Sequence, residues 1–400
     1  MGVKNARFGG IDEKTHSSYC IIPPFRSKNG GKMKTKTYVI SILLFFLVFF
    51  MFVSCGKHEA KWKGTIEEVD GITVVKNPKE PIYTEDVLIL EEELSIGESE
   101  GAEEYMFSQI RRIAVDDNER IYVLDNKESH VKVFDQNGDY LMTIGSQGEG
   151  PGELNMPRRI SLNQKELMVL EIRRRLSFFT LDGEFLRNVS TKQIWTLVAS
   201  IDSMGNIVVT EGLMDPENIS YRVKKFDSDM NFIKEIASSP APDARKGFNP
   251  FMAVSYWVLD SNDNIIFGYP KDYVIQIYNP ECKLIKKITK EYDPVELTEE
   301  EKEEETEDAP ANMKFVFSKY HSAFRLFLAD DEGRICVQSW EKIPDGEGYY
   351  YDIFDAEGKY IVKIPLKMRP LVWKKNKIYT IEEDEEGFQI VKRYKVNWNI

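Results

Sequence analysis

The sequence predicts an all-β chain built from one four-stranded unit repeated six times, and three observations predict it. The first is a recurring hairpin in which an aromatic residue is followed four residues later by a turn position and six residues later by an apolar one. It occurs as FDQNGDYL from Phe134, FTLDGEFL from Phe179, FDSDMNFI from Phe226, YNPECKLI from Tyr278 and FDAEGKYI from Phe354, with a shortened copy, YKVNWNI, from Tyr394. Successive copies lie 45, 47, 52, 76 and 40 residues apart. The second is a strand-turn-strand pattern ahead of each hairpin: IAVDDNERIYVLD from Ile113, ISLNQKELMVLE from Ile160, ASIDSMGNIVVTE from Ala199, WVLDSNDNIIFGY from Trp257, FLADDEGRICVQS from Phe327 and LVWKKNKIYTIEE from Leu371. The third is composition: with 42% hydrophobic and 12% aromatic residues in 400, the chain can bury a large core and is not disordered throughout. Four strands per roughly 40 to 50 residues make a sheet that cannot hide both faces alone. Such sheets must pack face to face around an axis, and the ring must close. The count gives a six-bladed β-propeller of four-stranded antiparallel blades.

Residues 1–54 differ in kind. From Met33 to Cys55 the sequence MKTKTYVISILLFFLVFFMFVSC has a basic start, Lys34 and Lys36, then an uncharged run from Tyr38 to Ser54 that ends in a small residue. The run falls at or just below the roughly 17 to 25 residues that span a bilayer. Its basic, apolar and small-residue parts are those of a secretory signal. The segment resembles a bacterial lipoprotein signal, with Phe52-Val53-Ser54-Cys55 as a lipobox whose first position departs from the usual Leu. That resemblance implies cleavage before Cys55 and lipid on its thiol; the alternative is a plain membrane anchor. Polar residues 1–32 have no place ahead of such a signal, so translation is expected to begin at Met33. The resulting division is a leader over 1–54 with its signal peptide at 33–54, a lipidated tether over 55–63, and the propeller over 64–400.

Between tether and first repeat, Gly64 to Leu94 is rich in strand formers, whereas the last repeat is short. This segment either lies on the surface as an extension or lends a strand that completes the sixth blade; the second is expected. Within the hairpins, Asn137-Gly138, Asp182-Gly183 and Glu357-Gly358 read as tight turns in which glycine takes a positive φ. Met230 and Cys282 stand in the glycine's place in two copies, which predicts another turn type there. GSQGEGPGEL, Gly145 to Leu154, follows the outermost strand of the first blade and must carry the chain back from rim to axis, with Pro151 and Pro157 stiffening the path. The long gap before the fifth hairpin holds an acidic insert near 291–313, in which Thr298 and Glu301 make a capping-box pattern that opens a short helix; the alternative is a solvated, mobile run of glutamates.

Over Lys61 to Ile400 the chain resembles the bacterial six-bladed propeller lipoproteins with NHL-type, TolB-like blades. The resemblance rests on IGSQGEGPGEL, VDDNERIYVLD and the recurring FDxxG. It implies a fold rather than a function, since propellers host lyases, lactonases, hydrolases and binding modules alike. It also suggests the outer membrane, because Gly56 after Cys55 is not the aspartate that signals inner-membrane retention. The tether CGKHEAKWKG holds one acidic residue, which leaves periplasmic and surface-facing orientations open.

The chain carries a formal charge of −13, and loss of residues 1–54, which hold eight Lys/Arg and two Asp/Glu, leaves about −19. An acidic body of this kind argues against nucleic acid as a partner. Membrane attachment would then rest on acyl chains at Cys55 rather than on charge. Cys282 and Cys336 lie in different repeats, so no disulfide framework is present, and no Cys/His cluster has metal spacing. His58, His130 and His321 are scattered, and Asp116, Asp202, Asp260 and Asp330 recur at strand-turn junctions, where capping of the turn explains them. No catalytic residue, metal or cofactor is assigned.

What converges is cationic. Aligned on the Asp116 position, Arg111 matches Arg158, Arg112 matches Arg159 and Arg325 matches Arg111, with Arg369 near the same place in the last copy. All precede an innermost strand and so approach one mouth of the central channel. Such a funnel suits a carboxylate, phosphate or sulfate; the alternative is that these arginines only pair with surface carboxylates. Tyr256 and Trp257 fall in the same layer, where they stack on a sugar or peptide or else pack between blades. The expected function is a lipid-anchored envelope propeller that binds an anionic, glycan or peptide ligand or scaffolds an outer-membrane partner protein. The alternative is a channel-mouth enzyme, a lactonase-like hydrolase or lyase.

Overall fold

Alternation of apolar and polar residues at a period of two makes each repeat a meander of antiparallel strands. The computed structural model describes residues 61–399 apart from 85–86, 173, 192–193, 216, 311 and 345. The leader, the signal segment from Met33 and Cys55 of the tether lie outside the described residues. Three strands precede the repeats: β1 (Thr65–Val69), β2 (Ile72–Asn77) and β3 (Leu88–Ile96). Blade one is β4 (Ile110–Val115), β5 (Ile121–Asp125), β6 (His130–Phe134) and β7 (Tyr140–Ile144). Blade two is β8 (Pro157–Leu162), β9 (Glu166–Glu171), β10 (Arg175–Thr180) and β11 (Phe185–Ser190). Blade three follows as β12 (Thr196–Ile201), β13 (Ile207–Asp215), β14 (Asn218–Phe226) and β15 (Phe232–Pro240). Blade four contains β16 (Tyr256–Leu259), β17 (Ile265–Gly268), β18 (Val274–Tyr278) and β19 (Leu284–Lys290). The one α-helix among the described residues, α1 (Glu299–Thr306), leads into blade five: β20 (Leu326–Ala329), β21 (Ile335–Lys342), β22 (Tyr349–Phe354) and β23 (Tyr360–Leu366). The last strands are β24 (Val372–Lys374), β25 (Lys377–Glu383) and β26 (Gln389–Trp398).

The ring closes through the segment ahead of the repeats. β3 pairs antiparallel with β26, Leu88 opposite Trp398 and Ile96 opposite Val391, and so supplies the fourth strand of blade six. The expected closing strand is therefore present. The same segment also extends a second sheet, because β2 pairs in parallel with β19 and carries β1 with it, making blade four six-stranded. Between them the chain runs along the outer strand of blade five, where the Ile82 and Tyr83 N–H groups donate to the Tyr360 and Ile361 carbonyls at 3.1 and 2.9 Å. One continuous strap thus ties blades four, five and six.

Asn77 is the rivet of that strap. It is buried, and its Nδ2 donates to the carbonyls of Gly358 (2.9 Å) and Thr289 (3.1 Å) while its Oδ1 accepts from the Tyr360 backbone N–H at 2.7 Å and the Trp62 indole at 2.9 Å. A single side chain satisfies backbone groups of two blades.

The core lies in the seams. Six clusters of buried residues each join two neighbouring blades, from Val123 and Phe134 against Tyr379 and Val391 at the closing seam to Val208 and Val223 against Trp257 and Phe267 between blades three and four. The motif aromatics Phe134, Phe179, Phe226 and Phe354 are all buried. Their hairpin turns share one geometry, with Gly138 at φ 88° and its N–H on the Asp135 carbonyl. Met230 (φ 61°) and Cys282 (φ 60°) adopt the same left-handed conformation and the same hydrogen bond, so the expected change of turn type does not occur. Both side chains are buried in a seam, which offsets the cost of a positive φ in a residue with a Cβ. At Gly138 that space is already filled, since a Cβ would meet Leu94 at 2.8 Å.

Replacing Asn77 by Ala should cost about 2 to 3 kcal/mol, because buried backbone groups of blades four and five lose their partners together. Denaturant unfolding checks this; a loss below about 0.5 kcal/mol would mean that Asn77 does not tie the strap to blades four and five.

Candidate functional site

The first strand of each blade, β4, β8, β12, β16, β20 and β24, borders a central cavity of about 770 Å³ to which all six blades contribute residues. These strands run in the same sense, so their starting ends share one mouth. Arg111 and Arg112 stand at the start of β4, Arg158 and Arg159 at the start of β8, and Tyr256 opens β16. Arg325 and Arg369 precede β20 and β24. Arg112, Arg159, Arg325 and Tyr256 are half-buried, while Arg111, Arg158 and Arg369 are exposed.

The charges of four of these guanidiniums act on one another. Burial, then the charges of Arg159, Arg369 and Arg111, push the Arg112 guanidinium down to about 10, with Tyr256 acting the other way. Arg159 is lowered by burial first and by Arg111 and Arg369, again opposed by Tyr256. Among the described residues, none of Arg111, Arg112, Arg158, Arg159 and Arg369 has a carboxylate within ion-pairing distance. Arginines elsewhere do: Arg120 reaches Asp116 at 2.6 Å, Arg175 reaches Glu171 at 2.6 Å and Arg334 reaches Asp330 at 2.5 Å. In a chain with 66 acidic residues, leaving these cations without acidic partners costs folding free energy.

Arg325 is held differently. Its guanidinium lies between Trp340 (4.6 Å) and Tyr349 (4.3 Å). Trp340 stacks on His321 with ring centroids 4.1 Å apart, and Phe251 meets both edge-on. His321 Nε2 lies 3.1 Å from Glu301 of α1, and Lys342 lies 3.2 Å from the other oxygen of that carboxylate. Burial favours the neutral imidazole despite Glu301, so His321 donates its Nε2–H and Lys342 supplies the positive charge. Burial alone would raise Glu301; the Thr298 N–H, His321 and Lys342 outweigh it and hold the carboxyl at about 2. The capping box read from Thr298 and Glu301 is formed, and it anchors the acidic insert beside Arg325.

Tyr256 and Trp257 both border the cavity and pack into opposite seams, Tyr256 between blades four and five and Trp257 between blades three and four. Tyr256 lines the cavity and meets Phe327 edge-on, 5.3 Å between ring centroids. Trp257 belongs to the seam between blades three and four, where its indole N–H donates to Thr210 Oγ1 at 2.6 Å. Successive side chains of a strand point to opposite faces, and that divides the pair. The Trp340 and Tyr349 clamp around Arg325 has no signature in the sequence, because its parts come from strands joined only by tertiary pairing. At the far end of the cavity, Asp116, Asp202, Asp260 and Asp330 each accept backbone N–H groups of their own turn, as Asp116 does from Asn118 and Arg120. No three His, Cys, Asp or Glu among the described residues form a metal-binding group.

Fold and mouth define a six-bladed propeller with a cationic opening. The chain belongs to the family described as a domain of unknown function, DUF4934, whose match covers residues 100–337. A protein named as exported, from Bacteroides fragilis NCTC 9343, shares the fold with a TM-score of 0.54 and 13% identity, over 81% of this chain and 100% of that one. A member of the DUF4221 family from Bacteroides vulgatus is similar at a TM-score of 0.47 and 12% identity, over 78% of this chain and 99% of its own. A gluconolactonase from Xanthomonas campestris is similar at 0.44 and 12%, over 72% and 86%. No curated protein matches the sequence.

The Glu301 contribution to stability should be fully present above the ordinary carboxyl value of 4.5 and lost as pH falls through about 2. Glu301→Gln should therefore destabilise by about 1 to 2 kcal/mol at neutral pH. The gap between variant and parent, read from melting curves, should narrow on acidification below the ordinary carboxyl value; a gap independent of pH would contradict this account.

Proposed function

We propose that this protein is an exported, lipid-anchored propeller whose arginine mouth binds an anionic group, a carboxylate, phosphate or sulfate. The observation that carries this reading is the crowding of Arg111, Arg112, Arg159 and Arg369 without carboxylate partners. An incoming anion would relieve repulsion already present in the folded state and accept charge-assisted hydrogen bonds in a partly desolvated site. The acidic body around it would repel polyanions, which favours a small ligand over nucleic acid. Export and anchoring are supported by the signal-like segment from Met33 to Cys55, and the similar protein from Bacteroides fragilis is itself named as exported. In this reading Cys55 carries lipid and holds the propeller at the outer membrane; Cys55→Ser should move the protein from the membrane pellet to the soluble fraction of lysed cells, and an unchanged distribution would reject the anchor.

Calorimetric titration with acetate, sulfate and inorganic phosphate at low ionic strength tests the mouth. Arg112→Gln and Arg159→Gln should each weaken binding by about tenfold or more while raising the melting temperature by about 2 to 4 °C, since each removes a like charge. Binding unaffected by either change, or variants that melt lower than the parent, would overturn the reading.

A further inference from the structure

The arginines are not spread evenly around the mouth. Taken five and four residues before Asp116 or its counterpart in each blade, the rim positions hold Arg111-Arg112, Arg158-Arg159, Leu197-Val198, Ser255-Tyr256, Arg325-Leu326 and Arg369-Pro370. All the guanidiniums therefore belong to blades five, six, one and two, and blades three and four contribute none. Those four blades are consecutive in the ring, since β20 packs beside β24, β24 beside β4 and β4 beside β8. The cations form an arc along one side of the opening. Arg369 connects its two ends, because its charge acts on Arg112 and Arg159 and, together with that of Arg325, on the buried Tyr351 phenol. Arg325 ends the arc as a clamped cation, held 4.6 Å from the centre of the Trp340 ring and 4.3 Å from that of Tyr349. Aromatic rings fix the place of a guanidinium without consuming its N–H donors. Among the described residues no acceptor or carboxylate engages the Arg325 side chain. The neighbouring acid, Glu301, is already committed to the Thr298 N–H at 3.1 Å, to His321 at 3.1 Å and to Lys342 at 3.2 Å.

We infer that the ligand is a small molecule with two anionic groups, one received by Arg112, Arg159 and Arg369 and the other by Arg325, on a short body that lies along the arginine arc. This rests on the anion-binding reading above and adds the number and placement of the ligand's charges. A single small anion would relieve the crowded part of the arc and leave the donors of Arg325 unused. A long polyanion would meet the acidic body beyond the mouth. A short two-headed molecule reaches both ends of the arc and little else. Because the clamp positions Arg325 before the ligand arrives, the second contact carries a smaller ordering cost. Once the first head is bound the second binds within the same complex, so affinity depends on whether the spacer spans the arc.

Calorimetric titration of the folded propeller at low ionic strength with linear dicarboxylates from malonate to suberate, each beside its own monomethyl ester, tests the inference. Affinity of the diacids should pass through a maximum at one chain length, where the diacid binds at least about tenfold more tightly than its ester. Attraction by net charge alone would favour every diacid alike and give no such maximum. Arg325→Gln should bring the best diacid and its ester to within about twofold of each other. Tyr349→Leu keeps the guanidinium and removes half of its clamp, and should shrink the preference by about two- to fivefold. Melting curves show whether each variant is folded, and the comparison of diacid with ester in the parent protein needs no variant. Diacids and esters that bind alike, both lost in Arg159→Gln, would overturn this inference and leave the anion site standing. A diacid preference that is the same at every chain length, or that survives Arg325→Gln, would also overturn it. No binding of any of these anions would remove both readings.

Discussion

No blade of this protein can be stable by itself, and everything else in the structure follows from that constraint. Each sheet has two faces and water is kept from them only by the next sheet, so the buried aromatics are shared between neighbours rather than belonging to one repeat. Phe134 is covered by Tyr379 and Val391 of blade six, and Phe178 by residues of blade three. A ring is the arrangement that leaves no end blade uncovered. It obliges the molecule to complete one blade by a different route from the other five, and β3 paired with β26 is that route.

The mouth follows from the same geometry. Bringing six equivalent strand starts to one opening concentrates whatever residue occupies that register. In most proteins an arginine at such a point is neutralised by a local acid, and this chain does so at Arg120, Arg175 and Arg334. At the mouth it does not. Like charges held together there cost folding free energy, and the proposed anion would offset that cost.

Much of the architecture was legible because a repeat announces itself: the hairpin aromatics, their spacing and the Asp at four of the six first turns all map directly onto blades. The closing strand could also be anticipated, since the last copy was short and a strand-rich segment stood unclaimed. The addition of β1 and β2 to blade four was not legible, because a parallel pairing across more than two hundred residues leaves no local pattern; Asn77 and Thr289 are 212 positions apart. Met230 and Cys282 misled for a related reason. A positive φ at a non-glycine residue is tolerated there by burial against another blade, which the turn sequence does not contain. At the candidate site, register alone placed Arg112, Arg159 and Tyr256, but it could not say that Trp257 faces a seam, that Arg325 is clamped by two aromatic rings, or that the other arginines lack partners.

The pairing of β3 with β26 bears on biosynthesis. Lys392 and Glu92, joined across these strands at 3.0 Å, are 300 residues apart. A chain emerging from its amino end therefore presents β3 long before the strand that completes it exists, and the loop to be closed is nearly the full length of the molecule. Blade six is complete only once β26 has been made. The acidic residues along β3, Glu91 to Glu93, are of the kind that discourages an unpaired edge from joining another strand.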